Sequence, residues 1–310
     1  MIVSPPRPII FGLSGTELTL EERAFFKEAN PLGFILFRWN LEEPQQIRSL
    51  IKELKLVVGR EDLLFLVDAE GGRVFRLPQK FYPSPPPARF FGDLYQKNPE
   101  EAVRLCRKSA YDTGLLLKDL GFTVNCSPLL DLYVEGAHDV IGDRSFSDDP
   151  DVVGILGAAV VEGLQQAQIL PVIKHVPGHG AALVDSHEAL PVVGLSREEL
   201  RPHFRPFIQN RNAPLAMTAH IVYEAFDPHH CATFSPKVIR HLIREEIGFK
   251  GFLLSDDLFM GAVSGTPSEK VAAALKAGCD AVLYCKGGVS EFEKALAFFS
   301  EGFFVDGKRA

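Results

Sequence analysis

No block of lysine and arginine interrupts this chain, and its formal charge is −7 over 310 residues. Nucleic-acid binders carry a basic stripe, so that class of partner is set aside. No apolar run approaches the roughly 20 residues a membrane-spanning helix needs, so no membrane partner is expected. The five cysteines (Cys106, Cys126, Cys231, Cys279 and Cys285) are odd in number, scattered and free of any CxxC pair. That pattern argues against a disulfide framework and for a reducing compartment. The opening MIVSPPRPIIFG has prolines where a signal peptide needs a helical apolar core, so a cytoplasmic location is expected. The sequence also lacks an obvious linker, a low-complexity segment and a sharp repeat. What remains is ordinary for a soluble protein: 46% hydrophobic and 24% charged residues, enough for a substantial core.

Apolar runs recur along the chain, each followed by an amphipathic stretch. Strands are expected at 8–13, 33–37, 63–68, 122–128, 169–175, 214–220, 251–256 and 279–284. Helical patterns lie near 18–29, 43–56, 98–120, 150–168, 196–210, 235–248, 268–278 and 290–301. Ser235-Pro236 reads as a cap followed by proline at the first helical position. Continuous apolar strands between helices indicate a parallel sheet covered by helices. Eight such units in this length fit a closed α/β barrel better than an open doubly wound sheet. The open sheet would show a Gly-rich phosphate turn after the first strand, and Gly12-Leu13-Ser14-Gly15 is a weak version of one. The Pro-rich stretch 81–90 reads as a rigid surface excursion within one domain.

An α/β barrel builds its site from the C-terminal strand ends. Those ends carry Asp68, Asn125 with Asp131 beyond it, Lys174 with His175, His220, Asp256 with Asp257, and Tyr284. Adjacent residues of a strand point to opposite sides, so only one of Asp256 and Asp257 can face the mouth. A carboxylate there serves as nucleophile or base, or else caps the following helix. Asp68 and Arg76 could hold sugar hydroxyls or form a surface pair around a tight turn. Arg144 offers a planar donor fork, or a structural ion pair.

Residues 170–191, LPVIKHVPGHGAALVDSHEALP, are the densest in chemistry. Lys174, His175, His179, Asp185 and His187 leave a buried strand on a Gly-rich loop. Asp185 and His187, two residues apart, can pair so that the acid fixes the imidazole tautomer and raises its basicity. A DxH triplet also occurs in plain surface loops. The histidines and Asp185 could ligate a metal, but Pro177 and Gly178 disfavour the helix that HxxxH spacing suits. No metal and no cofactor are expected. Gly178 and Gly180 offer hinge freedom for a loop that closes after substrate binds.

Taken together and in order, GLSGTELTLEE, PLGFILFRWN, VDAEGGRVFRL, IGDRSF, KHVPGHG, VDSHEALP and IREEIGFKGFLLSDDLFMGA resemble the family 3 glycoside hydrolases. The similarity is greatest to the one-barrel bacterial cytoplasmic branch of β-N-acetylglucosaminidases that recycle cell-wall muropeptides. The resemblance implies a single (β/α)8 TIM barrel over residues 1–310. It also implies a retaining exo-β-N-acetylglucosaminidase that acts on 1,6-anhydromuropeptides through a covalent glycosyl-enzyme. Asp256 would be the nucleophile and His187 the general acid/base, oriented by Asp185. Asp68, Arg76, Arg144, Lys174 and His175 would hold the sugar, and His179 would shape the loop. The partner would be a small-molecule muropeptide, with the chain a monomer or weak oligomer. Two departures stand out: Val176 where this branch often has Phe, and Phe259 where a small or polar residue is usual. The second puts the pocket wall, more than the chemistry, in question. Phosphorolysis, a metal-dependent barrel hydrolase and a non-catalytic sugar binder are the alternatives.

Overall fold

The computed structural model describes residues 5–136, 139–182, 190–300, 304–305 and 308–309. Eight strands form a closed parallel barrel: β1 (Arg7–Phe11), β2 (Pro31–Leu36), β3 (Leu64–Val67), β4 (Val124–Asn125), β5 (Leu170–Val176), β6 (Leu215–Thr218), β7 (Phe252–Asp257) and β8 (Ala281–Tyr284). Each pairs with the next, and β8 closes on β1 through Ile10↔Leu283 and Phe11↔Tyr284. Every strand expected from the apolar runs is present.

The strands are apolar on both faces because both faces are buried. Ile10, Ile35, Leu66, Val124, Val172, Leu254 and Leu283 pack with one another in the barrel interior. The alternating residues Ile9, Phe34, Phe65, Ile173, Leu253 and Val282 pack outward with Phe26, Leu50, Leu117 and Phe292 of the surrounding helices. Each fully buried side chain of this size contributes roughly 1.5–3 kcal/mol. The alternation also decides the chemistry. Counting two residues on from the inward Leu66, Val172 and Leu254 gives Asp68, Lys174 and Asp256.

The helices are α1 (Leu20–Ala29), α2 (Pro44–Val58), α3 (Ala88–Tyr95), α4 (Pro99–Leu120), α5 (Pro150–Gln166), α6 (Arg197–Gln209), α7 (Pro267–Ala277) and α8 (Gly288–Ser300), with Val238–Glu246 wound as a π-helix. Thr19 with Glu22, Ser196 with Glu199, and Thr266 with Glu269 form reciprocal capping boxes that start α1, α6 and α7. Ser235 caps as its sequence indicates, its Oγ accepting from the Val238 N–H at 3.1 Å.

Helix α3 was not legible, because its sequence follows directly on a run of prolines. Those prolines do more than make a surface excursion. They press against the tight hairpin Ala69–Gly71/Val74–Phe75 that leaves β3. Gly72 donates to the Pro85 carbonyl at 2.8 Å, and Ser84 Oγ donates to the Gly72 carbonyl at 2.9 Å. Gly71 has φ +109°, and a Cβ there would lie 2.5 Å from the Pro86 carbonyl oxygen, so glycine is required. The Pro-rich stretch thus seats the hairpin that carries Glu70 and leads to Arg76.

Candidate active site

A cavity of about 550 Å³ opens over the C-terminal ends of the strands, a size typical of small-ligand sites. Asp68, Arg76, Arg144, Lys174, His175 and Asp256 all line it. The structure therefore brings together every described residue that the sequence nominated for catalysis or sugar binding. Asp185 and His187 lie outside the described residues.

A buried charge network forms one wall. Lys174 Nζ lies 2.8 Å from Asp68 Oδ1 and 2.7 Å from Glu70 Oε1, and its side chain is only 3% exposed. Arg144 grips Glu70 with both arms of its fork, at 2.8 and 2.9 Å. Arg76 Nε stands 3.7 Å from Asp68 Oδ2. Burial pushes the Glu70 carboxyl up, but Arg144 and Lys174 outweigh it and hold the acid well below its usual range. Burial likewise opposes the charge on Lys174, and Asp68 with Glu70 more than restores it. Glu70, Lys174 and Arg144 are taken out of water together, so each of these charges is compensated by a partner. Glu70 was missed in the sequence because it follows the strand. Its spacing of two from Asp68, on an extended hairpin, was the signal available.

Asp131 organises the second wall. Fully buried, it meets His175 Nδ1 at 2.8 Å and accepts the backbone N–H groups of His175 and His179 at 3.2 and 2.6 Å. Burial raises its carboxyl, and His175 and His179 overcome that and lower it. Burial pushes His179 down to about 4, against the pull of Asp131. Below this, Tyr223 Oη donates to the Gly178 carbonyl at 2.7 Å. A Cβ on Gly180 would sit 2.2 Å from the Leu132 carbonyl oxygen. Both glycines are buried, so in the described part of this segment they serve close packing at the root of the 183–189 stretch.

Asp256 ends β7 on the inward side, and its Oδ1 accepts the Asp257 N–H at 2.8 Å. Asp257 turns its carboxylate into the backbone, accepting from Phe259 at 3.0 Å and Cys285 at 2.9 Å. Burial raises its pKa, and those two N–H groups work against the rise. Both acids border the cavity, against the expectation that only one would, but the Asp257 carboxylate is taken up by backbone N–H groups. Three other strand-end groups do not serve the cavity. Asn125 pins the hairpin through Ala69 N and O, each at 3.0 Å. His220 is buried between Thr233 Oγ1 at 2.7 Å and the Asp257 carbonyl at 3.1 Å. Tyr284 points outward against Phe292, since the inward position of β8 is Leu283.

Among the described residues no group of three or more His, Cys, Asp or Glu side chains is placed to hold a metal ion. No helix among them is long and apolar enough to cross a membrane. Remaining around the mouth are Phe37, Trp39, Phe259 and Lys286, none of which sequence reasoning assigned to the site beyond Phe259 as a wall.

The model of the glycosyl hydrolase family 3 N-terminal domain matches residues 14–305. A β-hexosaminidase of Thioalkalivibrio sulfidiphilus is 39% identical over 282 residues, covering 90% of this chain and 80% of that protein. NagZ from Neisseria gonorrhoeae, solved with N-trifluoroacetyl-D-glucosamine, superposes with a TM-score of 0.87 at 32% identity, covering 95% of this chain and 86% of that one. A family 3 β-N-acetylglucosaminidase from Paenibacillus sp. FPU-7 gives a TM-score of 0.87 at 33% identity, over 94% of this chain and 56% of that one. With its closed barrel, the family model over residues 14–305 and these relatives, the chain belongs to glycosyl hydrolase family 3 and is a glycoside hydrolase.

Proposed function

We propose that this glycoside hydrolase is a retaining, exo-acting β-N-acetylglucosaminidase with Asp256 as nucleophile. The observation that carries the reading is the position of Asp256. It stands on the inward side of a barrel strand end, in the same cavity as Asp68, Arg76, Arg144, Lys174 and His175. Those polar groups suit a single pyranose with its hydroxyls and acetamido group, and His187 with Asp185 supplies the proton. The relatives support the sugar: the curated ones are β-hexosaminidases, and one solved neighbour holds an N-acylglucosamine.

In this reading protonated His187 gives its proton to the glycosidic oxygen as that bond to C1 breaks. The Asp256 carboxylate forms a bond to C1 from the opposite face, leaving a glycosyl ester. Neutral His187 then takes a proton from water, the water oxygen attacks C1, and Asp256 departs with net retention. The natural substrate would be a 1,6-anhydromuropeptide, and the setting cytoplasmic cell-wall recycling.

The test is turnover of 4-nitrophenyl glycosides of N-acetylglucosamine, N-acetylgalactosamine and glucose, with and without phosphate and with EDTA. Release of free N-acetylglucosamine, fastest from its own glycoside and unaffected by EDTA, is expected. Accumulation of sugar 1-phosphate would make the enzyme a phosphorylase. No release from any glycoside would contradict the reading.

A further inference from the structure

The end of β7 is not a regular strand. Its pairing with β8 sets Leu254 opposite Ala281 but Asp257 opposite Leu283, three steps against two. The extra residue falls within 255–257, the segment that carries Asp256. Such a bulge interrupts the ladder, bends the strand and re-aims its side chains. Here two successive acids come to border one cavity. The polar groups of the irregular segment are taken up one by one. Ser255 Oγ accepts the Leu283 N–H at 3.1 Å. The Asp257 N–H goes to Asp256 Oδ1 at 2.8 Å, and the Asp257 carboxylate accepts the Cys285 N–H at 2.9 Å. The Asp257 carbonyl is met by His220 Nε2 at 3.1 Å.

His220 stands two residues beyond β6 and is fully buried, as are Thr218 and Thr233 beside it. A carbonyl only accepts, so Nε2 carries a proton. Burial lowers the pKa of the ring, against the pull of Asp256, and favours the neutral form. Nδ1 is then an acceptor, and the Thr233 hydroxyl 2.7 Å away donates to it. Thr218 Oγ1, 2.8 Å from Thr233 Oγ1, donates in turn. One tautomer thus satisfies three buried side chains, and a turn of the ring would leave them unpaired. The ring does not line the cavity; it acts on the strand end that does.

We propose, resting on the reading of Asp256 as nucleophile, that His220 is the positioning residue of that nucleophile. Its Nε2–H fixes the carbonyl of the bulge, and with it the direction in which the Asp256 carboxylate faces the cavity. Without that bond residue 257 is freer to turn about its backbone, and Asp256 Oδ1 is bonded to the N–H of the same residue. Attack on C1 needs a carboxylate oxygen held in line with the departing bond, and a displacement of about 1 Å can cost about a hundredfold in rate. The sugar itself would be held by Asp68, Arg76, Arg144, Lys174 and His175, none of them on β7. Loss of His220 therefore acts on bond formation and spares sugar affinity.

The experiment measures two quantities in each variant. One is the saturating rate of covalent labelling by 5-fluoro N-acetylglucosaminyl fluoride. The other is the inhibition constant of free N-acetylglucosamine, which needs binding and no bond. His220→Phe keeps the ring shape and removes the donor. Its labelling should slow about a hundredfold with the inhibition constant unchanged. His220→Gln, whose amide N–H can reach the same carbonyl, should recover most of the rate. Thr233→Val removes the hydroxyl that sets the tautomer and should lose part of the rate, and Thr233→Ser should recover it. The threonine pair carries the test if His220→Phe does not fold. Labelling of His220→Phe or Thr233→Val as fast as the wild type overturns the positioning role. So does a rise of the inhibition constant in step with the loss of rate, or an equal loss in the Phe and Gln variants, since either marks general disruption. A wild-type protein that takes no label on Asp256 overturns the nucleophile reading, and the role of His220 with it.

Discussion

Glu70 accepts both arms of the Arg144 guanidinium, at 2.8 and 2.9 Å, with its own side chain only 8% exposed. Through Lys174 the same carboxylate is linked to Asp68, so three residues lining the cavity take their orientation from one acid set behind them. A bidentate arginine fork fixes its partner acid by geometry as well as by charge.

Removing Glu70 leaves buried Arg144 without its carboxylate partner and Lys174 with Asp68 alone. Glu70→Ala should therefore cost about 3–5 kcal/mol in urea denaturation, and Glu70→Gln less, because the amide still accepts one hydrogen bond. Both variants should lower kcat/KM. A loss below about 1 kcal/mol for the alanine variant, as at a surface ion pair, would show that the network is solvated.

Stability should fall on acidification before the carboxylates titrate. His179 ionises near 6.5 in the unfolded chain and is pushed down to about 4 by burial in the folded one. The unfolded state therefore binds the extra proton between those values, and stability present above pH 6.5 is lost as pH falls toward 4. The linkage amounts to on the order of 2 kcal/mol between pH 7 and pH 4.5. Burial lowers His203 and His220 in the same direction. Denaturant midpoints across this range should slope accordingly, and His179→Gln should flatten the slope. Equal slopes in both proteins would remove His179 as the cause.

Tyr223→Phe deletes the hydrogen bond to the Gly178 carbonyl without opening a cavity. A buried carbonyl left without its donor costs about 1–3 kcal/mol. Because Gly178 lies at the root of the stretch bearing Asp185 and His187, kcat should fall more than KM rises. Unchanged kinetics together with the stability loss would confine Tyr223 to a structural role.

His187→Ala should lose far more activity on substrates with poor leaving groups than on 4-nitrophenyl glycosides, since only the former need a proton delivered to the departing oxygen. Equal losses on both would remove the acid role.

How far the sequence reaches is visible in single residues. The barrel was legible because strands covered on both faces are written as unbroken apolar runs; alternation alone said that one of Asp256 and Asp257 faces the mouth, the family resemblance pointed to Asp256, and the inward Leu254 of the structure agrees with it. The same counting shows why Tyr284, a polar strand end, faces Phe292 instead of the mouth: parity outranks polarity. Glu70 was missed, and Asp131 was placed at the strand ends without a role, because their importance lies in partners 74 and 44 residues away, which no local pattern carries. Helix α3 was hidden by the prolines before it, and the stacking of Phe37 on Trp39 depends on a turn whose fixing bonds reach back to Leu13.

The central claim is that Asp256 forms the bond to C1. Incubation with a 5-fluoro N-acetylglucosaminyl fluoride, followed by peptide mass mapping, tests it most directly. The account predicts one adduct, on Asp256, absent in Asp256→Asn. An adduct on another carboxylate, or labelling that persists in Asp256→Asn, would contradict it.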